Sequence, residues 1–229
     1  MAERMSVHMR GITVEWLTQA AKFDHLFQMR WLGERFFHLP GDMVALQSLV
    51  WQVRPSCIVQ TGVAAGGGVV FSASMLELTQ AAGRVVAVEP RLREEVRERL
   101  GMHPLAHRMH LVAGDSCAPD TLAAVTAQLP ANGPVMVILD LNPTHAHVLR
   151  ELRTYADWVT PGSYLVVMDT ILEYLPETMF AGKPYGRGNN PATAVQAFLA
   201  EDARFRVDEA IEDHVLMTLS PGGFLQRVG

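Results

Sequence analysis

Two aspartates, Asp140 and Asp169, each follow a short apolar run, Val135–Leu139 before the first and Tyr164–Met168 before the second. In an open α/β sheet, ligands bind beyond the carboxyl ends of the strands. If the two runs are neighbouring strands, their terminal carboxylates lie about one inter-strand spacing, ~5 Å, apart. Two anions that close either share a proton or hold a cation between them. Oxygen ligands suit a hard divalent ion such as Mg2+, which keeps several of its waters. The plainer alternative is that one aspartate caps a helix and the other meets an arginine. Asn142, His145 and Glu173 are near enough in the chain to add a ligand or a base. His145 is the candidate for removing a proton, with His147 behind it.

A second constellation lies earlier, in CIVQTGVAAGGGVVF from Cys57 to Phe71. An apolar run, Cys57-Ile58-Val59, meets Gly62, then Gly66, Gly67 and Gly68, and an apolar segment follows from Val69 to Leu78. Strand, glycine turn and helix open a nucleotide-binding βαβ unit, in which a ligand lies directly against main chain. The pattern is neither G-x-G-x-x-G nor a P-loop, so nothing in it demands a pyrophosphate. An adenosine without phosphates, such as S-adenosylmethionine, fits at least as well. A tight turn with no ligand is the alternative. The next strand ends in Glu89, an acid placed either to accept both ribose hydroxyls or simply to lie solvated at the strand end. The one after leads into Asp115 and Ser116, which can face an adenine edge or form an Asx-turn.

These residues need a scaffold, and the chain spells one. Strand-like runs at Cys57–Val59, Arg84–Val88, Met109–Ala113, Val135–Leu139 and Tyr164–Met168 alternate with helical segments at 91–101, 118–128 and 145–158. That alternation predicts parallel βαβ units. A helix at 191–200 precedes two further strand-like runs, Phe205–Ala210 and His214–Leu219, which read as an antiparallel hairpin. The predicted fold is α/β: a Rossmann-like class I methyltransferase core at 53–229, its sheet seven-stranded, mostly parallel and closed by the hairpin. An N-terminal helical section at 1–52 caps the core or mediates self-association. It is rich in large apolar groups, among them Trp16, Phe23, Leu26, Phe27, Trp31 and Phe36, and a helix over 42–52 ends it. Phe180–Asn190, with three glycines, reads as a lid or a plain surface loop.

Composition limits the partners. The 229 residues are 49% hydrophobic with a net charge of -5, which suits one globular domain and gives no electrostatic case for nucleic acid or an anionic membrane. No apolar run reaches membrane-spanning length. The N-terminus lacks a signal-peptide core, and Cys57 and Cys117 read as reduced thiols, so a cytoplasmic protein is expected.

The motifs PGDMVALQSLVWQVRP, IVQTGVAAGGG, GDS, LDLNPTHAHVLREL, PGSYLVVMDT, NNPATAVQAFL and SPGGFLQR occur in that order. Together they resemble the cephalosporin hydroxylase and rhamnosyl O-methyltransferase family, from about Trp31 to Arg227. The resemblance implies an S-adenosylmethionine- and Mg2+-dependent O-methyltransferase acting on a hydroxyl of a natural product or its sugar. It assigns the methionine part of the cofactor to Gly62 and Gly66–Gly68, the ribose to Glu89 and the adenine to Asp115 and Ser116. Asp140 joins the cofactor site and the catalytic pair with His145, and Asp140 with Asp169 holds the metal. The chain departs from the family pattern in four places. Gln60 replaces a glutamate but can still hydrogen-bond the cofactor. Ala65 and Gly68 replace polar residues of the turn. Met168 replaces a third acid, and Pro143 replaces a histidine. These losses also admit a protein that binds the cofactor without methylating, serving as a partner protein or as a cyclisation or rearrangement catalyst. A nicotinamide oxidoreductase is disfavoured by the glycine spacing and by the terminal hairpin.

Overall fold

The computed structural model describes residues 4–80 and 82–229, with the side chain of Leu26 outside that description. The chain opens with helix α1 (Met5–Ala20), then a two-stranded hairpin, β1 (Arg30–Trp31) and β2 (Glu34–Arg35), then α2 (Pro40–Val53). The core follows as β3 (Cys57–Thr61), α3 (Gly67–Leu78), β4 (Arg84–Glu89), α4 (Glu94–Gly101), β5 (Met109–Ala113), α5 (Pro119–Thr126), β6 (Val135–Leu139), α6 (His145–Tyr155) and β7 (Tyr164–Val167). It ends with α7 (Pro191–Glu201), β8 (Phe205–Val207), α8 (Glu209–Val215) and β9 (Phe224–Arg227). The central runs are largely apolar because parallel strands are covered on both faces; every residue of β3, β6 and β7 is buried, the polar Gln60 and Thr61 at the end of β3 included.

The seven strands are ordered β5-β4-β3-β6-β7-β9-β8. The first five are parallel, and β9 runs antiparallel to both β7 and β8. The order reverses between β3 and β6, so the crevice beyond Thr61 and Leu139 is the topological switch point where such sheets bind ligands. One apolar cluster, including Phe36, Leu49, Phe71 and Leu100, fills one side of the sheet. Another, including Val59, Leu139, Leu152 and Phe198, fills the other.

Two expectations need correction. His214–Leu219 is not a strand. Asp208 accepts from the backbone N–H of Ala210 and starts α8, so the helix cap outcompetes the β-branched run that follows. The antiparallel partner is instead β9, reached after the Pro221-Gly222-Gly223 turn. The N-terminal section is also less helical than its spacing implied. Past Ala20 the chain enters short 3-10 turns and then the hairpin. Phe36 is buried there, whereas Phe23 and Phe27 are 74% and 57% exposed.

The N-terminal section packs directly on the glycine turn. A Cβ on Gly67 would lie 2.1 Å from the Arg35 carbonyl oxygen and 2.7 Å from the Phe36 Cα. Gly67→Ala is therefore expected to destabilise the fold by about 1–3 kcal/mol, despite the better helix propensity of alanine. Gly101→Ala, where a Cβ would meet nothing within 4 Å, is the control and should be neutral. Urea-unfolding midpoints of the two variants check this.

Candidate active site

The crevice at the switch point is built from the ends of β3, β4 and β6. Gly62 follows β3 with φ of 89°, and a Cβ there would sit 1.9 Å from the Asp140 carbonyl oxygen. Glycine is thus required twice over, by conformation and by the approach of the β6 end. Glu89, at the end of β4, turns onto this loop. Its Oε2 accepts from the backbone N–H groups of Val63 at 3.1 Å and Ala64 at 3.3 Å, and its Oε1 accepts from Arg91 N–H at 3.3 Å.

The neighbouring residues have duties of their own. Gln60 is buried under the turn, donating to the Gly62 carbonyl at 3.1 Å and accepting from the Ser72 hydroxyl at 3.3 Å. The Cβ directions of Gly66 and Gly68 meet Leu100 and the Gln60 amide, so these glycines fit the turn against α4 and β3. Asp115 forms the Asx-turn, accepting from Cys117 N–H at 2.8 Å, and meets Arg150 at 3.3 Å. The Cys117 hydrogen bond is the main reason its pKa is lowered. Ser116 is buried, and its carbonyl accepts from the Tyr155 hydroxyl at 2.6 Å.

Asp140 and Asp169 line one small cavity of about 10 Å3 together with Asn142, Pro143, Glu151 and Met168. That is room for roughly one water-sized guest. Burial raises the Asp140 carboxyl well above the usual range, and Asp169, Asp42 and Glu151 raise it further. Burial likewise brings Asp169 up to about 6. The two carboxylates therefore converge, with no lysine or arginine lining their cavity. Among the described residues, no group of three or more His, Cys, Asp or Glu side chains is gathered to hold a metal ion. The pair offers hard oxygen ligands to a divalent cation, whose remaining waters would have to lie outside this cavity, toward the 26%-exposed side chain of Asp140.

His38 joins this site from the loop before α2. Its Nε2 lies 3.4 Å from Asp140 Oδ2, and its ring stacks on Phe36 with centroids 4.5 Å apart. Burial lowers its pKa to about 4, so at neutral pH the contact is not an ion pair. Its Nδ1 is buried without a hydrogen-bond partner among the described residues. An unpaired acceptor is tolerated better than an unpaired donor, which puts the ring proton on Nε2, facing Asp140. Asp42 ties the same loop down. It accepts from Leu39 N–H at 2.9 Å, from Leu219 N–H at 3.0 Å and from the Thr218 hydroxyl, while burial holds its pKa up at about 7.

His145 is the first residue of α6 and is not among the residues lining the Asp140–Asp169 cavity. Its Nδ1 lies 2.8 Å from Thr193 Oγ1, whose own proton goes to the Asn190 carbonyl at 2.8 Å. The imidazole must then donate from Nδ1, which leaves a lone pair on Nε2. His147 points elsewhere, with Nε2 3.2 Å from Oε1 of the buried Glu151, although neither atom makes a hydrogen bond among the described residues. Glu173 accepts from Gly188 N–H at 2.9 Å and from the Asn190 amide, pinning the 180–190 segment to the start of α7. Sequence reasoning missed His38, Asp42 and Glu151. Only Asp42 carried a signal, as the acid of a helix-start motif.

A mostly parallel seven-stranded sheet with antiparallel terminal strands and an acid folded over the glycine turn at its switch point defines a class I methyltransferase. Residues 24–228 match the family model described as rhamnosyl O-methyltransferase/CmcI, and the chain belongs to that family. It is accordingly an S-adenosylmethionine-dependent O-methyltransferase. The rhamnosyl O-methyltransferase of Mycobacterium tuberculosis strain H37Rv is 25% identical over 202 residues, covering 86% of this chain and 77% of that protein. Among solved structures, a CmcI structure with Mg and S-adenosylmethionine has a TM-score of 0.61 at 18% identity, covering 89% of this chain and 78% of the other. The O-methyltransferase TomG from Streptomyces achromogenes, involved in tomaymycin synthesis and solved with S-adenosylmethionine, has a TM-score of 0.55 at 18% identity, covering 96% and 90%. These likenesses define the fold. Among the described residues, no helix is long and apolar enough to cross a membrane.

Proposed function

We propose that this chain methylates a hydroxyl of a small natural product or of its sugar, in the crevice between Gly62, Glu89 and Asp140. The observation that carries this reading is the Glu89 carboxylate, which lies against the amides of Val63 and Ala64 at the switch point. There it can receive the ribose hydroxyls, while the Gly62 turn offers bare backbone to the rest of the cofactor. Gln60 braces that turn from below, and Gly66–Gly68 shape it. Asp115 borders the adenine end, while Ser116, fully buried, supports the turn from beneath. Bound S-adenosylmethionine supplies an activated methyl group.

The chain's own work is to aim the acceptor oxygen along the line of displacement and to remove its proton. Asp140, oriented by His38, sits where the acceptor hydroxyl arrives. His145, with its Nε2 lone pair free, is the base. Asp140 and Asp169 would hold Mg2+, which lowers the pKa of a bound hydroxyl. The N-terminal section, through Arg35 and Phe36, covers the turn as a cap.

Calorimetric titration with S-adenosylhomocysteine tests the cofactor site. Glu89→Ala should weaken binding by at least about tenfold, since a hydrogen bond to a charged group contributes roughly 1.5–3 kcal/mol. Unchanged affinity would remove Glu89 from the site. Tight cofactor binding without transfer to any of a broad panel of hydroxylated acceptors would favour a non-methylating member of the same fold.

A further inference from the structure

A second cavity lies on the outer side of the glycine turn, between the β1–β2 hairpin and the start of α4. Its volume is about 400 Å3, and it is lined by Arg30, Glu34, Arg35, Ala65, Arg93 and Arg99, with Gly33 and Glu95. That volume is within the range of small-ligand sites.

The charges in it do not cancel. Glu34 is buried and taken by Arg99 at 2.7 Å, and the same guanidinium donates to the Ala65 carbonyl at 2.9 Å. Glu95 is taken by Arg93 at 3.2 Å. Arg30 donates only to the Gly33 carbonyl, at 2.9 Å, and Arg35 has no ion pair or side-chain hydrogen bond among the described residues. Two positive charges are thus left over, on a chain whose net charge is -5.

The hairpin brings them together. Arg30 and Arg35 are directly opposed cross-strand partners. Like charges at such positions repel one another and destabilise a two-stranded ribbon. The turn joining them holds Leu32 at φ of 46° and Gly33 at φ of 92°. Leucine is a poor residue for that left-handed position. The ribbon therefore keeps a strained turn that sets two unneutralised guanidinium groups at the rim of a cavity. An oxyanion between them would relieve the repulsion.

We infer that Arg30 and Arg35 form a clamp for a phosphoryl group carried by the acceptor. A phosphate monoester brings about -1.5 to -2 charges at neutral pH, matching the surplus, and its oxygens match the guanidinium fork. Ala65 lies three residues after Gly62 in the same turn. The Ala65 wall of the cavity is therefore within about 10 Å of Gly62, by the reach of the chain. An acceptor held there by its phosphoryl group can extend a hydroxyl toward the methyl donor. This rests on the reading of Gly62, Glu89 and Asp140 as the transfer site. The other source of an oxyanion is the carboxylate at the methionine end of the cofactor.

The test uses the full chain at low salt, because surface charges are screened at high ionic strength. Inorganic phosphate and S-adenosylhomocysteine are titrated separately into wild type, Arg35→Gln and the Arg30→Gln/Arg35→Gln double variant, with thermal melting to verify folding. The expected result is phosphate binding to wild type, at least about tenfold weaker in Arg35→Gln and absent in the double variant, with cofactor affinity unchanged. Phosphate binding that is absent from wild type, or equal in all three proteins, overturns the clamp. A tenfold loss of cofactor affinity in Arg35→Gln assigns the arginines to the cofactor carboxylate and overturns the acceptor assignment. If phosphate behaves as expected but no protein binds the cofactor, the clamp stands and the methyl-donor reading fails.

Discussion

Asp140→Asn should lower methyl transfer by about 10²–10⁴-fold, because it removes the carboxylate that aims the acceptor hydroxyl and would hold the metal that acidifies it. The substitution keeps the size of the side chain and its contact with His38 but removes the charge. Asp169→Asn should fall in the same range, because the two carboxylates share a cavity that admits one small guest. His38→Phe preserves the stack on Phe36 and should cost less, about tenfold, because it only releases Asp140 from its orienting contact.

The same pair predicts a pH dependence of stability. The folded-state pKa of Asp169 is about 6, against about 3.9 in the unfolded chain. Between those values the folded chain keeps a proton that the unfolded chain has lost. Across that window Asp169 should give the metal-free protein a falling stability slope, with a share of roughly 3 kcal/mol, while His38, lowered to about 4, contributes in the opposite sense and Asp42, at about 7, extends the loss to higher pH. Asp169→Asn should flatten that slope in urea-unfolding midpoints. Added Mg2+ should raise the melting temperature of wild type more at pH 8 than at pH 5, where protons compete for the site. A melting temperature indifferent to Mg2+ at every pH, with full turnover in chelator, would leave the two aspartates without a metal role.

The core was legible in the sequence because its signals are local. Four of the five parallel strands carry an unbroken, buried apolar run, the half-buried β5 being interrupted by His110, and glycine or proline marks the breaks between them. Once those strands are placed, the switch point follows from their order, and Gly62, Glu89 and Asp140 fall at strand ends without further argument. The residues that complete the site were hidden because their roles come from tertiary packing. His38 lies in an irregular loop, about a hundred positions from Asp140, and no periodicity connects the two. Asp42 does cap α2 as its motif suggested, yet its other oxygen gathers Thr218 and Leu219 from the far end of the chain. Glu151 and His147 are spaced like a solvated pair on a helix, but Glu151 is fully buried. At the C-terminus, a single aspartate cap overrode a strand-like run, a contest between local preferences that pattern alone does not decide.

His145→Ala is expected to lower kcat by about 10²–10⁴-fold while changing acceptor KM and S-adenosylhomocysteine affinity by no more than about twofold. The ability of His145 to act as a base depends on which ring nitrogen carries the proton. Thr193 spends its hydroxyl hydrogen on the Asn190 carbonyl and can only accept from His145. The Asn190 side chain in turn accepts from Ala192 and Thr193 N–H groups and fixes the start of α7, so the acceptor that selects the tautomer is held by a helix cap. Thr193→Val removes that acceptor and leaves the shape nearly unchanged. It should lower kcat by about tenfold through loss of the productive tautomer, with little change in KM. Added imidazole should restore part of the activity of His145→Ala, since the missing group is a base rather than a structural strut, and should leave Thr193→Val unaffected. Full turnover in His145→Ala would shift the proton transfer to Asp140 alone, and the His145–Thr193 contact would then serve only to join α6 to α7.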